Sequence, residues 1–204
     1  MKQMLKHPAI YQLYQELGGF FGARIKAIRQ YLPIAPGARI IDIGCGPGHI
    51  LRHLPRDIDY TGLDIDAPSI AYARARFGDR GRFDTRFFDA AAVDDLGPVD
   101  IVMMNGVMHH IGDDDLAATL GHVKAALKPG GALFTLDGAY SPGQSRIDKW
   151  LLDNDRGVHV RDAAGYRALL EGTFGNVAMH VRNDLSRLPY TFAIGLARTS
   201  GEPA

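Results

Sequence analysis

Residues 40–49 read Ile40-Ile41-Asp42-Ile43-Gly44-Cys45-Gly46-Pro47-Gly48-His49. An apolar run stops at three alternate glycines, and a helical pattern resumes at His49. Glycine lets the backbone turn sharply and approach a ligand closely. The start of the following helix offers N–H groups that have no partner inside it. A strand, a tight turn and a helix in this order are the first unit of an α/β sheet.

The pattern is narrower than a dinucleotide site. That fingerprint is G-x-G-x-x-G, with pyrophosphate on the helix end. Here His49 stands where its third glycine belongs, and Pro47 fills the turn. Asp42 adds a carboxylate just before the turn. A carboxylate there repels a pyrophosphate and attracts a positively charged ligand.

The rest of the chain continues the alternation. Arg39–Ile43, residues 59–63, 83–88, 99–104 and 132–136 read as strands. Residues 49–54 and 68–77 read as helices. Leu116, Leu120, Val123 and Leu127 form a helical stripe. Asp113, Asp114 and Asp115 open that helix and Pro129-Gly130-Gly131 closes it. Asp66, followed by Pro68, is the cap of the second helix. Such alternation implies a parallel sheet covered on both faces. Residues 162–174 form a last helix. Residues 176–182 and 190–197 are close enough to pair as an antiparallel hairpin.

Composition excludes several classes. The chain has 204 residues, 46% of them hydrophobic, enough for one domain with its own core. Glycine is in excess: 24 residues, where an average composition of about 7% gives about 14. They cluster at junctions between apolar runs. Lys+Arg and Asp+Glu are both 23, so no basic excess suggests a nucleic-acid partner. The single cysteine, Cys45, excludes an internal disulfide. It is read as a small packing residue of the turn. No run approaches the ~20 apolar residues that span a bilayer, and the first residues lack a signal-peptide pattern. The expectation is a cytoplasmic protein without a membrane partner.

Two further acids mark a site. Asp64 lies 20 positions after Gly44, the offset at which an acid holds a ribose. Asp89 ends the third strand on the same sheet edge. Carboxylates around an adenosine, with no phosphate-binding lysine, suit a cationic adenosine cofactor such as S-adenosylmethionine.

At this point the chain resembles the class I S-adenosylmethionine-dependent methyltransferases. The matching segments are IDIGCGPG (41–48), GLDID (62–66), FFDA (87–90), VDIVMMNGVMHHI (99–111) and LKPGG (127–131), in the family's order. The resemblance implies a Rossmann-like, doubly wound, seven-stranded α/β sheet, mostly parallel with an antiparallel last strand. It implies S-adenosylmethionine as cofactor and S-adenosylhomocysteine as product. Gly44, Gly46 and Gly48, with Asp42 and Cys45, would wrap the methionine end. Asp64 would hold the ribose and Ile65 would pack on the adenine. Asp89 and Ala90 would read the adenine edge. The Asn105–Gly106 backbone would face the methionine end.

His109 and His110 follow the fourth strand, on the active edge. Methylating a hydroxyl or an ammonium requires loss of a proton, and histidine titrates near neutral pH. If the segment is extended, only one of the two faces the ligand. His49 and His53 have a possible metal spacing, but no third ligand accompanies them. No metal is expected.

The chain reads as a single domain over 1–204, with an N-terminal helical lid (1–30) and a substrate-side insert (138–161). Candidate acceptor contacts are Tyr11 and Tyr14 in the first, and Asp137, Arg156 and His159 around the second. Arg156 and Arg161 are candidate anion clamps, against local pairing with Asp153, Asp155 or Asp162. Both segments are short, which points to a small-molecule acceptor methylated on oxygen or nitrogen. Two alternatives stay open. One is aminopropyl transfer on the same fold. The other is a non-catalytic module that binds S-adenosylmethionine.

Overall fold

The computed structural model describes residues 18–155 and 157–201. Tyr11, Tyr14 and Arg156 lie outside the described residues. The strands are β1 (Arg39–Ile43), β2 (Asp59–Asp64), β3 (Arg82–Thr85), β4 (Val99–Asn105), β5 (Leu127–Gly138), β6 (Asn176–Arg182) and β7 (Phe192–Arg198). They form one sheet in the order β3-β2-β1-β4-β5-β7-β6. β1 to β5 pair in parallel. β7 is antiparallel to both β5 and β6. This is the expected mixed α/β sheet, and the expected hairpin is β6–β7.

Period-two burial explains why helices cover both faces. Ile40, Ile101 and Met103 point to one face, with Phe134 and Ile194. Helices α1 (Phe20–Tyr31) and α2 (Ala67–Phe77) close it with Phe20, Ala23, Ala27, Ile70 and Phe77. Ile41, Ile43, Val102 and Met104 point to the other face. There α3 (Ala90–Leu96), α4 (Asp113–Ala126) and α6 (Ala163–Glu171) cover them. The stripe Leu116, Leu120 and Val123 is fully buried, as its spacing requires.

Several boundaries differ from the sequence reading. Residues 49–54 do not make a regular helix; His49–Arg52 is a single 3-10 turn. β3 stops at Thr85, and Asp89 does not end a strand. Asp89 is the N-cap of α3, a helix absent from the sequence reading, and accepts from the Ala92 N–H at 2.9 Å. Asp66 caps α2 as expected, accepting from Ser69 N–H at 3.0 Å.

The insert carries α5 (Arg146–Asp153), capped by Ser145. Its Asp148 is buried and ties the helix to the start of β7. It accepts from the Thr191 N–H at 3.0 Å and from the Thr191 hydroxyl. Asp148→Ala strands both donors in the interior. The expected cost is about 1–3 kcal/mol, read as a lower urea midpoint, with Asp148→Asn losing less because it keeps an acceptor.

Candidate functional site

Parallel strands deliver their carboxyl ends to one edge, where open α/β sheets bind ligands. At the end of β1, Gly44, Gly46 and Gly48 all have positive φ, at 71°, 54° and 72°. A side chain at Gly44 would also collide with Val107, whose Cγ2 lies 2.5 Å from the Cβ position. At Gly46 that position faces open space. The Gly46 N–H donates to Asp64 Oδ2 at 2.8 Å, and the Asp66 N–H donates to Asp64 Oδ1 at 2.8 Å. Asp64 thus fastens the glycine turn to the end of β2. Beside it Ile65 is 61% exposed, a bare apolar side chain at the sheet edge. Asp89 and Ala90 are exposed at the start of α3.

Two cavities open on this edge. The first, of about 420 Å³ including space open to solvent, is lined by Phe21, Arg24, Asp42, Gly44, Cys45 and Asn105, among others. Asp42 is 2% exposed. Its Oδ2 accepts from the Tyr60 hydroxyl at 2.7 Å, while its Oδ1 has no partner. Burial pushes the Asp42 carboxyl up to about 6, against the opposing pull of the Tyr60 hydroxyl and the Arg24 charge. Both amide atoms of buried Asn105 also lack partners. Buried polar atoms are almost always satisfied, so this concentration marks a place where a ligand completes the bonding. Burial, and then the negative charges of Asp42 and Asp64, push the Cys45 thiol up. It is a neutral packing group, not a nucleophile.

The second cavity, of about 450 Å³ including space open to solvent, is lined by Gly106, His109, His110, Asp137 and Asp155, with Phe20, Arg24, Tyr190 and Phe192 among its other walls. Met108–His110 is a 3-10 turn, not an extended segment. The alternation expected for the two histidines therefore fails. Their rings lie 4.1 Å apart and line the same cavity, His109 buried and His110 exposed.

His109 Nδ1 is 2.6 Å from Asp137 Oδ1, and Nε2 is 3.3 Å from Asp155 Oδ1. The His109 N–H also donates to Asp137 Oδ1 at 3.2 Å. Burial disfavours the imidazolium, but the two carboxylates outweigh it and hold His109 up to about 9. Burial likewise opposes the Asp155 carboxylate, but its bond to His109 outweighs that and brings it down to about 2. Asp137 Oδ2 has no partner.

Arg161 is not an anion clamp. Its Nε and Nη2 donate to Asp113 Oδ1, and its Nη1 and Nη2 donate to the carbonyls of Met108, His159 and Ile111. The fork is occupied in holding the histidine turn and the insert together. His159 does not line the second cavity. Its side chain is exposed, and its N–H donates to the His109 carbonyl at 3.0 Å.

A family profile described as "Methyltransferase domain" matches residues 41–133. An uncharacterised methyltransferase of Mycobacterium tuberculosis is 34% identical over 96 residues, 46% of this chain and 47% of that protein. A ubiquinone biosynthesis O-methyltransferase of Rhodopseudomonas palustris is 32% identical over 137 residues, 62% of this chain and 52% of that protein. The chain thus spans about half the length of these curated relatives. Human N-acetylserotonin methyltransferase, solved with SAM, superposes with a TM-score of 0.70 at 16% identity, covering 97% of this chain and 58% of that one.

Residues 41–133 are similar in sequence to methyltransferase domains.

The matched segment holds the glycine turn, Asp64 and Asn105. The walls of the second cavity lie largely outside it: Phe20, Arg24, Asp137, Asp155, Tyr190 and Phe192. Sequence reasoning missed Arg24 and Tyr190 as site residues. One signal was available for Arg24. It stands four residues after Phe20, next to the buried Ala23, so the helix places a charge beside its own apolar stripe.

The clamp on His109 has a sign. A histidine held above its ordinary value of about 6.5 stabilises the fold fully below that pH, and the contribution disappears as pH rises through about 9. Urea midpoints should therefore fall between these limits, by an amount of order 3 kcal/mol. His109→Gln should flatten the fall in that window.

Proposed function

We propose that the chain transfers a methyl group from S-adenosylmethionine to an oxygen or nitrogen of a small-molecule acceptor, leaving S-adenosylhomocysteine. The observation that carries this is the group of unpartnered buried atoms beneath the glycine turn: Asp42 Oδ1 and both amide atoms of Asn105. An amino-acid end, with its ammonium and carboxylate, supplies partners for both kinds of atom. The residues present fit the cofactor elsewhere too. Gly46 leaves room for close approach, and Asp64 has lone pairs left for a ribose diol. Ile65 presents the bare face an adenine needs, and Asp89 and Ala90 stand at the neighbouring edge. The cofactor supplies an activated methyl group, so the protein's task is alignment and electrostatics.

The second cavity takes the acceptor in this reading. Asp137 on Nδ1 fixes the orientation of the His109 ring. With Asp155 on Nε2 the ring is a cation and cannot take a proton. An acceptor hydroxyl that replaces Asp155 at Nε2 removes one of the two carboxylates that hold the cation. The Nε2 proton leaves with Asp155 to solvent. The neutral ring, still oriented by Asp137, then accepts the hydroxyl proton as the methyl group is transferred. His110 stands beside it on the same wall. The lid and insert supply acceptor contacts, with Asp137 the residue on this wall.

Aminopropyl transfer to a polyamine is not favoured. A polycation calls for uncompensated carboxylates, whereas here His109 lies between Asp137 and Asp155, and Arg24 lines the same cavity. Among the described residues no helix is long and apolar enough to cross a membrane.

Four measurements test the reading. Incubation with S-adenosylmethionine and a metabolite pool should release S-adenosylhomocysteine; tight binding without release on any pool would favour the non-catalytic module. Asp64→Ala should weaken cofactor binding by about 1–3 kcal/mol, seen by calorimetry, and an unchanged affinity removes the ribose role. His109→Ala should lower kcat by about 10²–10⁴-fold with cofactor affinity preserved; unchanged turnover in both His109→Ala and His110→Ala removes the base. Cofactor affinity should also fall as pH drops below about 6, where Asp42 becomes neutral.

A further inference from the structure

The insert meets His109 at Gly157, and no side chain fits there. A Cβ at position 157 would fall on His109 Cδ2, 2.7 Å from the His109 carbonyl oxygen and 2.8 Å from its Cγ. Non-bonded carbon atoms settle at about 3.5–4.0 Å, so any larger residue must lift the insert off the ring. Gly157 is not among the glycines with positive φ. Its requirement is therefore one of space, not of backbone conformation.

The same residue places Asp155. The Gly157 N–H donates to Asp155 Oδ1 at 2.9 Å, and this is the oxygen that lies 3.3 Å from His109 Nε2. Two residues on, the His159 N–H donates to the His109 carbonyl at 3.0 Å. The insert is thus laid along His109, with a carboxylate oxygen presented to its ring nitrogen. A second glycine makes room for the other oxygen. A Cβ at Gly138 would fall on the Tyr190 hydroxyl and lie 2.8 Å from Leu152 Cδ2. That hydroxyl donates to Asp155 Oδ2 at 3.2 Å. A carboxylate taken out of water needs such partners on both oxygens.

We infer that Gly157 is a positioning residue for the proposed reaction: its missing side chain lets the insert lie on the His109 ring, and its N–H delivers Asp155 Oδ1 to Nε2, where the carboxylate holds the place of the acceptor. This rests on the reading of His109 as the base in methyl transfer, and adds the residue that decides when the base is available. The other groups facing the ring arrive on other elements. Asp137 comes with β5 and bonds Nδ1. His110 lies beside the ring from its own turn. Arg24 comes with α1, its Nη2 3.0 Å from the Cβ position of Gly106 and His109 Cε1 3.7 Å from that point. Arg161 is spent on the Met108 and His159 carbonyls, among others. Enlarging Gly157 therefore takes one of the two carboxylates from His109 and leaves the other.

The test is the titration of His109 in the full chain, followed by NMR of the imidazole ring and assigned with His109→Gln. The wild-type midpoint is expected at about 9. Asp155→Asn should lower it by about one pH unit or more, because one nearby opposite charge is gone. Gly157→Ala should lower it by a similar amount, and the double variant no further than Asp155→Asn alone, because both changes act on one contact. A merely structural glycine would not move this midpoint. The inference is overturned if Asp155→Asn leaves the midpoint in place, if Gly157→Ala leaves it while Asp155→Asn lowers it, or if the double variant falls by the sum of the two. A second measurement keeps Gly157 and so decides the matter where Gly157→Ala does not fold. The Gly157 amide proton should exchange with solvent about tenfold more slowly in the wild type than in Asp155→Ala; equal rates also overturn the inference. None of these readouts involves S-adenosylmethionine. Their failure is thereby told apart from failure of methyl transfer, which shows as no S-adenosylhomocysteine released with any pool.

Discussion

The Gly46 N–H bonded to the Asp64 carboxylate is the contact on which the site is built. It forces the end of β1 to turn back toward the end of β2. That turn requires left-handed backbone at three alternate positions, which only glycine adopts at little cost. The close approach of Val107 to Gly44 then brings the segment after β4 against the same turn. Once these strand ends are locked, Asp42 and Asn105 share one floor. Asp42 Oδ1 and the Asn105 amide are left there without a well-formed hydrogen bond, although the amide lies near enough to oppose the upward push on Asp42. The unmet bonds are thus a consequence of the turn, and they are what suits the first cavity to the amino-acid end of the proposed cofactor.

Two cavities that share Arg24 solve a problem of alignment. An in-line transfer needs donor and acceptor held in one frame, and a rigid common wall does this better than two separate pockets. The floor of the first cavity comes from the matched methyltransferase segment. The walls of the second come mostly from α1, the end of β5, the insert and the approach to β7. The second set can vary without touching the glycine turn.

The strands and the first cavity were legible because they follow from local rules. Short apolar runs alternating with helical patterns placed the strands, though not their order in the sheet. The glycine spacing and the acid 20 residues on marked the turn and Asp64. The second cavity was only partly legible because its contacts are distant in sequence: Arg24 meets Gly106, His109 meets Asp155, and Arg161 meets Asp113. The histidine pair shows the limit. Treated as extended, it puts one ring on each side. The 3-10 turn that keeps both on one wall is held by Arg161, far along the chain from His110, and nothing local announces it. The missed α3 has a similar cause, since its cap Asp89 doubles as a motif residue and was read as a strand end.

Arg161 also gives the His109 clamp its logic. A histidine between two carboxylates is a stable arrangement only if both acids are delivered to it. Asp137 arrives with β5, which is rigid. Asp155 arrives with the insert, which is joined to the histidine turn by Arg161 and by the His159 N–H on the His109 carbonyl. Removing Asp155 from Nε2 therefore does not require the insert to leave; the segment is anchored on its far side at Arg161 and at Asp148 on Thr191. In the proposed reaction the exchange of an internal carboxylate for an acceptor oxygen is therefore confined to the stretch between those anchors. Such an exchange swaps one oxygen partner for another at Nε2, so the buried ring is never left without one. That is the physical reason a cationic, fully bonded histidine and a catalytic one need not be different residues.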